Sequence, residues 1–347
     1  MSSGLEQTVV SSAGVPASAP RRRRVPTHFF VGTLLLYALV LGTFLLNASP
    51  AMRQWRPNWR TIVPVVAGVS FYVSANLFLL ILGRGRVSRW TVLAGTLATL
   101  IVTAGLCLSL RAAMLHDRVE ADLHLVRAFL ATIAGAVSQL FDARGAPARA
   151  AVFAATIALE EAIKLAPVFV LIARRRISSA QGAMLCGALA GLTFGTVEAI
   201  SYGYLSYPAT REPITTYFTR FFIMSPLHGI WSALAGGLVF FLGGPARRGA
   251  RRGPGPASYA AAFACAVVFH AIHNALQEMV GPAMQIATVF ALLAPMYYMA
   301  KLARREAAEE GSPDRGQLVG DLHLLTVALG TLFVAAGVMF SWALGIY

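Results

Sequence analysis

Glu160, Glu161 and Lys164 stand together in the stretch LEEAIKL, and Glu198, His228, His270, His273 and Asn274 follow on later segments. These residue types supply what hydrolysis of a peptide bond needs. A carboxylate, Glu160 or Glu161, takes a proton from water; His228 or His270 positions that water or stabilises the oxyanion; Asn274 is a further donor. The same groups could instead hold a divalent metal such as zinc, with His228, His270, His273 and Glu161 as candidate ligands. No H-E-x-x-H zinc helix, Gly-x-Ser-x-Gly elbow, phosphate loop or dinucleotide fingerprint is present. Lys164 lies i+4 from Glu160 and i+3 from Glu161, so it can neutralise one carboxylate and leave the other in need of an explanation. Its charge would repel a divalent cation, which favours a glutamate mechanism without metal.

Each residue also has a plainer reading. Glu198 could satisfy a helix-packing hydrogen bond. His228 could be an interfacial histidine, with Ser225 as the cap and Pro226 as the first residue of its helix. His273 could be packing, and Phe194 and Trp231 read as core. What joins the polar groups is where they sit. A charge at the bilayer centre costs roughly 2.5 to 3.5 kcal/mol on the insertion scale, yet the run from Ala150 to Ala173 is otherwise almost wholly apolar and long enough to span ~30 Å of hydrocarbon.

The composition agrees: 57% of residues are hydrophobic and 13% charged, with a mean hydropathy of +0.64. This is an integral membrane protein of all-α class. Nine spans are expected, at about 29–47, 61–83, 90–110, 150–173, 180–205, 221–243, 258–279, 281–300 and 322–345. The formal net charge of +14 is not a nucleic-acid footprint, because the positive residues form short blocks between apolar runs. With the RRRR block at 21–24 inside, the blocks collect on the cytoplasmic face, 18 Lys and Arg against 10 outside. That predicts a multi-pass cell-membrane protein with its N-terminus cytoplasmic and its C-terminus extracytoplasmic. Cys107, Cys186 and Cys265 fall in apolar segments with no paired spacing and read as packing residues.

The expected organisation follows. Residues 1–27 form a disordered cytoplasmic tail and 28–110 three spans. An extracytoplasmic segment, 111–149, carries an amphipathic stripe from Leu123 to Leu140, suited to a helix on the outer surface. The catalytic bundle is 150–300, followed by a linker at 301–321 and a last helix at 322–347. In this topology the eight polar groups, on four helices, all fall roughly 10 to 17 Å below the outer surface at 1.5 Å per residue. On the fifth span Gly187, Gly191 and Gly195 make a small-residue stripe, and Glu198 lies in the same arc, facing the bundle. His270, His273 and Asn274 occupy one side of the seventh.

The order E-E-x-x-K (160–164), F-x-x-x-E (194–198), a histidine opening a small-residue helix (His228) and H-x-x-H-N (270–274) resembles the PrsW family of intramembrane proteases, grouped with the CAAX-prenyl endopeptidase and Abi superfamily of glutamate-dependent membrane enzymes. The resemblance covers about 150–280. It implies cleavage of a single-span membrane protein, such as an anti-sigma factor, on the extracytoplasmic side, in contact with membrane lipid. Two other classes would use the same residues. In a proton-coupled transporter or sensor the acids would relay protons, but such proteins show repeat halves and midplane sites, and no repeat is visible here. A catalytically silent homologue would bind membrane partners without cutting them.

Overall fold

The computed structural model describes residues 59–82, 87–115, 146–205, 220–243 and 254–280, with 292, 295, 296 and 298–302. Six α-helices lie among them: α1 Trp59–Leu82, α2 Arg89–Leu115, α3 Ala146–Ala173, α4 Ala180–Leu205, α5 Ser225–Leu242 and α6 Pro256–Val280. A π-helical turn, Arg220–Met224, runs directly into α5. No strand occurs among the described residues. The expected spans 29–47 and 322–345, the tail, the linker beyond 302, and most of 111–149 and 281–300 lie outside them.

Among the described residues, four segments are long and apolar enough to cross a membrane: Arg89–Leu106, Ala180–Ser201, Arg220–Leu242 and Pro256–Asn274. Helix α3, with 28 residues, is longer than any of these, but its centre carries Glu160, Glu161 and Lys164. In a bilayer the backbone satisfies itself within each helix, and side-chain hydroxyls do likewise. Thr96, Thr99, Thr103, Thr193, Thr196 and Ser201 each donate to the carbonyl four residues back. Helix starts are capped by side chains where the chain turns: Ser88 Oγ accepts from the Thr91 amide and Ser179 Oγ from the Gly182 amide, both at 3.1 Å.

The tight return from α3 to α4 holds the two glutamate-bearing helices side by side. Arg175 adopts a left-handed conformation, φ 57°. The Arg176 amide bonds the Leu171 carbonyl at 2.9 Å and the Arg175 amide bonds Ile172 at 2.8 Å. This is the hydrogen-bond pattern of a Schellman stop, in the position usually given to glycine.

Helix α4 is the centre of the bundle and touches α1, α2, α3 and α5, while α6 closes the other flank against α3 and α5. The α4–α5 approach is made by backbone. A Cβ on Gly187 or Gly191 would strike the main chain of Ser232 or His228, and one on Gly236 the main chain of Ala183. The stripe expected on the fifth span is therefore the seam with α5. The α3–α6 flank is looser, with a groove of about 290 Å³ lined by Leu165, Phe169, Tyr259 and Phe263.

Candidate active site

On α3, Ile157, Glu161, Lys164, Leu165, Val168 and Ile172 are all buried. They recur at three- and four-residue steps, so they are one face of the helix. Two charged residues thus sit on a core stripe, while Glu160, one position off it, is 24% exposed. Lys164 Nζ pairs with Glu161 Oε1, and both side chains have no exposed surface. The pairing left open by the spacing is therefore Lys164 with Glu161. Glu160 stays at the rim.

Helix α5 supplies His228 and Trp231. The π-helical turn ahead of it is pinned by Ser70 Oγ, which donates to the Phe221 carbonyl. Ser225 is not the helix cap expected from the sequence: its hydroxyl donates to the Arg220 carbonyl at 3.0 Å, and the residue before it, Met224, is already helical. Arg220 itself is close enough to act electrostatically on Glu160. Gly195 lets the first turn of α5 settle onto α4, since a Cβ there would stand 2.8 Å from the His228 ring.

His228 and His270 are held alike in geometry and oppositely in charge. His270 Nδ1 lies 2.8 Å from Glu161 Oε1 and its Nε2 points to Glu160 Oε2 at 3.8 Å. His228 Nδ1 lies 2.9 Å from Lys164 Nζ and its Nε2 is 3.0 Å from Glu198 Oε2. Glu198 is 25% exposed and shares the rim with Glu160. The structure therefore has an inner tier, the Glu161–Lys164 pair, and an outer tier of Glu160 and Glu198, with the histidines spanning between them.

Aromatic rings wall this arrangement. Trp231 stacks on His270 with centroids 4.4 Å apart and meets His228 edge-on at 5.1 Å. Phe194 meets His228 at 5.3 Å and lies 4.8 Å from Lys164 Nζ. Both rings are buried, as a core reading expects, yet they are also the surfaces against which His228, His270 and Lys164 pack. Their sequence signal was spacing: Phe194 precedes Glu198 by one turn and Trp231 follows His228 by three residues. His273 is buried, packs 5.3 Å from Trp231, and has no hydrogen-bond partner for either ring nitrogen among the described residues. Asn274 is half-buried.

By distance, Glu160, His228 and His270 could hold a metal, since each offers an atom within 4.8 Å of the others. Glu161 and His273, also expected as ligands, stand outside that group. By hydrogen bonding only one histidine fits an ion. His270 has a carboxylate at Nδ1, the usual partner of a ligating imidazole. His228 has an ammonium there, which donates only. As a set the three do not fit a bound ion.

Residues 88–302, more than half of the chain, match a family model described as PrsW family intramembrane metalloprotease. No curated protein and no solved structure matches the chain.

Proposed function

The chain belongs to the PrsW family, whose members are intramembrane proteases, and from that premise we propose that it cleaves a single-span membrane protein near the outer face of the membrane by general acid–base catalysis. The observation that carries this reading is the convergence of two rim carboxylates on two histidine Nε2 atoms whose Nδ1 atoms are tied from beneath.

Glu160 is the general base. Its side chain is partly exposed at the rim, whereas Glu161 is buried and occupied by Lys164 and His270. Having taken the proton of the attacking water, Glu160 returns it to the leaving amine. His270, with Nε2 toward Glu160, orients that water. The His228 Nε2–H, held on Glu198 in the resting site, passes to the oxyanion as it develops, and Asn274 adds a donor at the outer edge of the same helix face as His270. Walls of Trp231 and Phe194 exclude bulk water, which strengthens each of these interactions.

The positive-inside pattern supports an N-terminus in the cytoplasm, which would open the rim outward and expose it to a substrate's juxtamembrane segment. A library of tagged single-span membrane proteins, co-expressed with the wild type or with Glu160→Ala, tests the reading. A fragment that appears only with the wild type is expected. Identical fragment patterns across all substrates would overturn it.

A further inference from the structure

We propose that Lys164 is a positioning residue that sets the two site histidines in opposite tautomers, Nδ1–H at His270 and Nε2–H at His228, so that His228 acts as a hydrogen-bond donor and not as a metal ligand. A lysine ammonium has three donors and no acceptor. With Lys164 Nζ 2.9 Å from His228 Nδ1, that nitrogen is the acceptor and the ring proton is on Nε2. An imidazolium at His228 is excluded by the same contact, since it would set one N–H against another. The Nε2–H then points at an acceptor, Glu198 Oε2, 3.0 Å away.

At the other end of the ion pair the logic inverts. Glu161 Oε1 only accepts, so His270 Nδ1, at 2.8 Å, carries the proton. Its Nε2 keeps a lone pair toward Glu160 Oε2, whose 3.8 Å separation is too long for a direct hydrogen bond and leaves room for a shared water. One buried ion pair thus presents its negative end to one imidazole and its positive end to the other. Neither side chain of that pair has exposed surface, so water does not compete with either assignment.

For the role of each imidazole this rests on the proteolytic reading above: His270 serves the attacking water and His228 the developing oxyanion. The tautomers themselves are a property of the resting protein and can be read without a substrate. They also restrict metal chemistry. An ion reaching His228 Nε2 would have to displace a proton that Lys164 and Glu198 both hold there.

The test is nuclear magnetic resonance of the full-length protein in nanodiscs with ¹⁵N-labelled histidine imidazoles. Signals are assigned by the resonances lost in His228→Asn and His270→Asn. Expected are a protonated Nε2 at His228 and a protonated Nδ1 at His270, both unchanged when one equivalent of Zn²⁺ is added. The same tautomer at both rings, or loss of the His228 Nε2–H signal on adding Zn²⁺, would overturn the proposal. Lys164→Met with Glu161→Gln, read in a Glu198→Leu background so that no carboxylate holds the ring proton, removes both charges together and should convert His228 to a tautomer mixture, whereas Lys164→Arg in that background keeps a donor and should preserve Nε2–H. An unchanged His228 in the triple variant would remove Lys164 from the role. If the triple variant does not fold, the wild-type and Lys164→Arg spectra still decide the assignment. Correct tautomers in a protein that cuts nothing would sink the protease reading alone; cleavage by a protein with equal tautomers would sink this inference alone.

Discussion

Glu160 and Glu161 are neighbours in the chain and live in different solvents. Glu161 has no exposed surface and is bound by Lys164 and His270, while Glu160, rotated by about 100° on the helix, is 24% exposed beside Glu198. In the proposed mechanism the inner tier, an ion pair, orients the histidines, and the outer tier is where water would be activated. Burial, more than residue type, distinguishes two identical side chains.

Exchanging one carboxylate for an amide in each tier gives the sharpest separation. Glu160→Gln should lower turnover by about 10²- to 10⁴-fold, the range of acid–base groups, with thermal unfolding in detergent unchanged. Glu161→Gln leaves the Lys164 ammonium buried without a counter-charge and should cost roughly 3–5 kcal/mol of stability, visible as a lower unfolding temperature. Interchanged results, with Glu160 controlling stability and Glu161 only turnover, would break the two-tier description.

Smaller effects sharpen it. Glu198→Gln keeps the shape and can still accept from His228, yet removes the charge, so turnover should fall about 10²-fold while the fold persists. Wild-type turnover in that variant would make Glu198 a packing group. The smallest expected effect is none: strong chelators should leave turnover unaltered, because the hydrogen bonding at His228 does not suit a ligand. Loss of activity on chelation and its recovery with zinc would reverse this.

Much of the scaffold was legible in the sequence. The spans expected at 61–83, 150–173, 180–205 and 258–279 correspond to helices within a few residues, because long apolar runs bounded by Arg, Ser and Gly leave few alternatives. The glycine stripe was legible for the same local reason. The partition of the site was not. Whether Lys164 turns to Glu160 or Glu161 depends on which side of α3 faces α5, and the buried stripe from Ile157 to Ile172 is masked in a helix whose other residues are almost wholly apolar and give little contrast between faces. The cap assigned to Ser225 failed because the helix is extended backward by a π-helical turn held from Ser70, 151 residues away in sequence. Local rules carry no information about such a contact. Nor could spacing reveal which nitrogen of each ring meets which partner.

The glycine seam between α4 and α5 also works as a depth gauge. Gly191 and Gly195 sit against the backbone and ring of His228, and their neighbours Leu192 and Thr196 have no room there. A screw motion of one residue, which turns α4 by about 100° as it shifts by about 1.5 Å, would drive a side chain into the main chain of α5. The offset between Glu198 and His228 along the helix axes is thus set in discrete steps, like a key with one cut.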